Sequence, residues 1–141
     1  MIRRETSPEL VNAVANAPEV HGHIAQHSEP MDWSPAFTDE RIVILSNGED
    51  AVGVFVETAP RYFQTHTMFG ATCRGAKALE VAREMIDYMI PEYADGIWGA
   101  TPMSNTNARW FNRQMGAKVI GHDVSDHEGE MEVFALFGEV S

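Results

Sequence analysis

Arg74-Gly75 is the pair best suited to hold a ligand, because it joins an aromatic and β-branched run, Tyr62 to Phe69, to a stretch of helical periodicity. A strand running through Arg-Gly into a helix leaves the first helical N–H groups without partners at the positive end of the dipole. Such a turn attracts an anion, a diphosphate above all, although a single Arg-Gly before a helix more often serves as a simple cap. Cys73, the only cysteine, could have its thiol activated by Arg74. No motif pairs it with a histidine, and it reads as a small loop residue. His21-x-His23 with His27 beyond has a spacing that could hold a metal. No cysteine or fixed carboxylate pattern joins them, so the reading is of histidines in a loop, with no metal.

Several elements must position these residues. Ile2 to Arg4 can form a short strand. Ser7-Pro8-Glu9 starts a helix, with Ser7 as N-cap and Leu10, Val11 and Val14 on its apolar face, and Pro18 closes it. From Glu19 to Asp39 no period is sustained, and the segment reads as a loop lining an acceptor cleft. Arg41 to Leu45, Ala51 to Thr58 and Tyr62 to Phe69 follow as three strands. The first two are joined by turn chemistry at Asn47-Gly48, which implies an antiparallel meander. After Gly75 a helix carries Leu79, Ala82, Ile86 and Met89 on one face and ends at Pro91. Gly96 to Thr101 is a strand reached through that helix and so parallel to the one before it. Asn105 opens a helix with Ala108, Phe111 and Met115 on one side and Gly116 as its C-terminal cap. Lys118 to Gly121 and Met131 to Phe137 close the chain as a hairpin around an acidic loop, Asp123 to Glu130. Trp98 and Trp110 read as core.

Composition bounds what this arrangement can do. The chain of 141 residues is read as one domain, 1–141, without repeats or linkers. Its first residues have no apolar run behind them, and no stretch approaches membrane-spanning length, so a soluble cytoplasmic protein without a signal peptide is expected. The lone cysteine fits a reducing compartment. A formal net charge of -11 argues against nucleic acid as a partner, because that interaction depends on Lys and Arg. It suits a cationic one, such as an amine or a basic protein segment.

With these elements in place, the sequence resembles the GNAT (Gcn5-related N-acetyltransferase) superfamily over nearly its whole length. The central strand with Arg74-Gly75 and its helix looks like that family's acetyl-CoA pyrophosphate loop. Asn105-Thr106-Asn107-Ala108, with Met115-Gly116 one helix later, is similar to its Asn-x-x-Ala helix. His66-Thr67-Met68-Phe69 ahead of Arg74-Gly75, with Ala78-Leu79 and Ala82-Arg83 after it, looks most like the small GNAT-like proteins of tailed bacteriophages, some of which are connected with virions.

The resemblance implies an α/β (α+β) fold, a mixed and mostly antiparallel twisted sheet of about six or seven strands with helices on both faces. By position it implies that the backbone of Thr67 and Phe69 meets the thioester and pantetheine arm. Backbone N–H groups of Arg74, Gly75, Ala76 and Lys77 would hold the pyrophosphate, and Asn105 would lie near the arm. His66 is then the best-placed general base, with Glu57 on the neighbouring strand second. A histidine hydrogen-bonded beside the core, and a solvated edge carboxylate, are their ordinary alternatives. Two positions depart from the family. Lys77 and Leu79 replace small residues of the loop, and Asn112 stands where many relatives place a tyrosine as general acid. The implied activity is acetyl transfer from acetyl-CoA to an amine. The alternative is a non-catalytic phage protein of the same fold that binds a virion or host partner.

Overall fold

The computed structural model describes residues 2–24, 29–126 and 129–137, with the side chains of all but 22–24. In chain order the elements are β1 (Arg3–Arg4), α1 (Pro8–Ala15), α2 (Pro18–Ile24), a 3-10 helix (Ser34–Thr38), β2 (Ile42–Ser46), β3 (Ala51–Ala59), β4 (Tyr62–Phe69), α3 (Gly75–Met89), β5 (Gly96–Pro102), α4 (Thr106–Gln114), β6 (Lys118–Ser125) and β7 (Gly129–Phe137). The strands make one seven-stranded sheet in the order β1-β2-β3-β4-β5-β7-β6. All neighbours are antiparallel except β4 and β5. This is the mixed, mostly antiparallel architecture expected from the sequence.

Strand alternation divides the core into two layers. On one face Val43, Leu45, Phe55, Phe63 and Ile97 pack under α3 through Ala78, Val81, Met85 and Met89. On the other, Ile44, Val52, Val54 and Met68 pack under Val11, Val14 and Ala15 of α1 and Val20 of α2, with Trp33 and Phe37 beside them. The buried stripe of α3 is Ala78, Val81, Ala82, Met85 and Met89. It is rotated from the expected one, leaving Leu79 and Ile86 only half-buried.

The N-terminal third departs most from expectation. Ser7 holds the N-cap position of α1 without a side-chain bond. Glu5 instead fixes the turn leading into the helix, its carboxylate accepting the N–H groups of Thr6 and Ser7 at 3.0 and 2.9 Å and the Ser46 hydroxyl at 2.7 Å. Pro18 does not close a helix but opens α2. The segment read as irregular therefore holds a helix and a 3-10 turn, anchored to α1 by two asparagines. Asn16 exchanges bonds of 2.8 and 2.6 Å with the Met31 backbone, and the Asn12 side chain accepts the Trp33 N–H at 2.7 Å. At the other end of the chain, β6 and β7 extend to Ser125 and from Gly129, so most of the expected acidic loop is strand. Trp110 is 53% exposed rather than core.

Candidate active site

The site is built around a fault in the sheet. β4 and β5 pair over only three residues, Tyr62 with Gly96, Phe63 with Ile97 and Gln64 with Trp98. β5 stays bonded to β7 along its whole length, from Gly96 to Pro102, so beyond Gln64 the two parallel strands part. Thr65–Phe69 and Gly99–Pro102 then face one another across a wedge with no ladder between them. On the α3 side the wedge is bordered by Thr65, Thr67 and Phe69 from β4 and by Gly99 and Thr101 from β5. Gln64, His66, Met68, Trp98 and Ala100 belong to the α1 side. At Gly99 a Cβ would lie 2.7 Å from the tip of the Phe134 ring, so that position stays bare. Phe69 meets Phe111 of α4 with ring centres 5.6 Å apart.

α4 is held over β5 and β7 by polar contacts. Asn105 accepts the Ala108 N–H at 3.1 Å as its N-cap, and Gly116, at φ +84°, follows its last turn. Arg109 donates to the buried Glu132 at 2.9 Å. Asn112 donates through Nδ2 to the Thr101 hydroxyl at 3.1 Å, so the residue at the tyrosine position is engaged with the sheet.

The loop after β4 is shaped by a residue the sequence reading passed over. The Asp50 carbonyl accepts the Gly70 N–H at 2.7 Å, and a Cβ at Gly70 would come within 3.2 Å of that oxygen. The Asp50 carboxylate accepts Asn47 Nδ2 at 2.7 Å, the Thr72 hydroxyl, and Lys77 Nζ at 3.2 Å. Burial works against its charge, but these bonds outweigh that and hold its pKa below the ordinary carboxylate range. Lys77 also donates to the Thr72 carbonyl at 3.3 Å and is thus tied back against the loop. Glu19 of α2 accepts the Ala71 N–H at 3.1 Å. Its own N–H, that of Ala71 and the charge of Arg74 lower its pKa.

α3 begins at Gly75, whose φ of +59° suits glycine. Arg74 stands at the N-cap without a side-chain bond, so the first-turn N–H groups of Gly75, Ala76 and Lys77 receive no cap from it. Among the described residues, and apart from its chain neighbours and the helix's own backbone, no atom lies within 4 Å of where a Cβ of Gly75 would be. The mouth of the helix is open.

His66 pairs with Val54 on the α1 side, beside the wedge. The residue is exposed, yet enough protein surrounds it that desolvation pushes its pKa below the usual 6.5. Glu57 pairs with Phe63 at the far end of β3, on the opposite face, and accepts the Arg61 N–H at 3.2 Å. The structure does not bring it to His66. Cys73 is fully buried, and burial, followed by the Asp50 charge, raises its thiol pKa. It is no nucleophile. His21 bonds the Glu29 carbonyl through Nε2 at 2.8 Å. The His23 side chain and His27 lie outside the described residues, among which no group of metal-ligating side chains gathers.

Two buried side-chain polar atoms among the described residues have no hydrogen-bond partner, Trp33 Nε1 and Thr65 Oγ1. Such an orphan typically costs about 1–3 kcal/mol. Thr65 is the first residue of β4 beyond the paired seam. Nothing in the sequence flags it, because threonine is an ordinary strand residue.

No protein-family model and no curated protein matches the sequence. Solved structures do match in fold. The spermidine N-acetyltransferase of Vibrio cholerae, in complex with CoA and spermine, superposes with a TM-score of 0.78 at 11% identity, over 97% of this chain and 94% of that one. The Salmonella typhimurium protein yncA, with its cofactor acetyl-CoA, does so at 0.75 and 10% identity, over 100% and 95%. An N-acetyltransferase from Staphylococcus aureus Mu50 gives 0.74 at 15% identity, over 97% of each chain. The chain has the GNAT fold of these acetyltransferases. Among the described residues, no helix is long and apolar enough to cross a membrane.

Proposed function

We propose that this protein belongs to the GNAT superfamily and transfers an acetyl group from acetyl-CoA to an amine. One observation carries the reading. The only parallel pair in the sheet opens after three residue pairs into a wedge whose mouth is the uncapped N-terminus of α3. A linear arm with phosphates at one end fits that shape, with the arm along the unladdered strand edges and the phosphates on the helix N–H groups. The loop accepts it, since the space beside Gly75 is open and Lys77 is drawn toward Asp50. The CoA and acetyl-CoA complexes of the fold neighbours support the same occupant.

The chain's residues then divide the work. The N–H groups of Arg74, Gly75, Ala76 and Lys77 bind the pyrophosphate. The backbone of Thr67 and Phe69 orients the arm, with Asn105 at the start of α4 beside it. His66 takes the proton of the incoming amine from the α1 side, its lowered pKa keeping it neutral and ready as a base. Glu57 has no part in this. When bound, acetyl-CoA supplies an acyl group already activated as a thioester. The acceptor is an amine, free or in a basic protein segment, in keeping with the net charge of -11. A cytoplasmic setting accompanies this reading, where the single thiol stays reduced.

Calorimetric titration with acetyl-CoA, and with CoA beside it, tests the reading. Saturable micromolar binding is expected, abolished by Gly75→Glu and retained by His66→Ala, which slows acetylation instead. A folded protein showing no heat at millimolar cofactor would overturn it. That result would favour a non-catalytic phage protein that uses the fold to bind a virion or host partner. The engagement of Asn112 with Thr101, and the exposed Val119, Ile120 and Val124 of the edge strand β6, support this second reading.

A further inference from the structure

We propose that the Thr65 hydroxyl donates a hydrogen bond to the sulfur of the acyl donor, on the side of the sheet away from His66. The inference rests on the acetyl-transfer reading above. Thr65 Oγ1 is buried and without a partner, and it belongs to the first residue of β4 past the seam, where the wedge is narrowest. Its neighbour along the same face, Thr67, is exposed and can satisfy its hydroxyl with water. The other orphan, Trp33 Nε1, belongs to a side chain that packs in the opposite core layer.

Five residue steps along the strand, about 16 Å, take the chain from Thr65 to Gly70 at the loop. That is the reach of an extended pantetheine arm whose phosphates sit on α3, so the arm ends with its sulfur at the apex. Asn112 does not serve there, because its amide is committed to Thr101. Thr65 and His66 are consecutive, and their side chains leave opposite faces of β4. As the amine nitrogen bonds to the acyl carbon, the carbon–sulfur electron pair stays on sulfur and the nitrogen's proton passes to His66. Thr65 shares its proton with the sulfur without giving it up.

The test compares wild type, Thr65→Val and Thr65→Ser by thermal melting without ligand, and by calorimetry with CoA and with desulfo-CoA. Valine keeps the shape and removes the orphan, so Thr65→Val is expected to melt at or above the wild-type temperature. It should bind CoA about threefold to tenfold more weakly and desulfo-CoA as the wild type does, while Thr65→Ser should behave as wild type. A lower melting temperature for Thr65→Val, or its failure to fold, would show that the hydroxyl already has a partner and overturn the proposal. So would equal losses for CoA and desulfo-CoA, or no loss for either. Wild-type protein that binds neither ligand would overturn the acetyl-transfer reading itself.

Discussion

The role proposed for His66 as a base depends on where it stands, and its titration can be followed directly. Burial lowers its pKa below 6.5, so protonation favours the unfolded chain. Its contribution to stability therefore falls as pH drops below the unfolded value toward the folded one. A proton NMR titration is expected to give a His66 midpoint below 6.5, with the acid limb of the kcat/KM profile following the same midpoint. A midpoint at or above 6.5 would place the ring in open solvent or beside a carboxylate. At this scale the sequence is only half legible. Asn105 and Gly116 announce their capping roles by type and spacing. Asp50 does not, because it looks like an ordinary turn residue while its carboxylate binds Thr72 and Lys77 across a gap in sequence. Lys77, which replaces a small residue of the proposed phosphate loop, is drawn toward Asp50 by that contact, which no local pattern reveals.

Elements with a clear period were legible and those without one were not. The meander of β2, β3 and β4 follows from apolar runs separated by Asn47-Gly48 and Pro60-Arg61. The second half of β6 was missed because almost every residue on this edge strand is exposed, so no alternation of apolar and polar residues marks it. α2 was missed because it has only seven residues, and its place is fixed by tertiary contact rather than propensity. The segment following it depends on Asn16 in the same way. Asn16→Ala removes both bonds to Met31, and a loss of about 1–2 kcal/mol in unfolding free energy is expected. Hydrogen exchange should quicken in residues 29–34 and remain unchanged in β5 and β7. Uniform quickening would mean that the segment is held by apolar packing alone.

Across the whole molecule, charge and the proposed ligand are at odds. The protein carries -11, CoA is itself a polyanion, and the loop's cations are partly offset, Lys77 by Asp50 and Arg74 by Glu19. Association should therefore be slowed by like-charge repulsion and quickened by screening. Stopped-flow measurements are expected to show an on-rate for CoA that rises a few-fold between about 10 and 150 mM salt. An on-rate that falls with salt would reveal a positive patch steering the ligand in. The short seam between β4 and β5 also has a mechanical consequence. It joins two stiff plates, β1 to β4 on one side and β5, β7 and β6 on the other. A force pulling the plates apart meets a notch already started at Gln64 and Trp98, so tearing begins there, and a guest bonded to both lips of the notch works as a rivet.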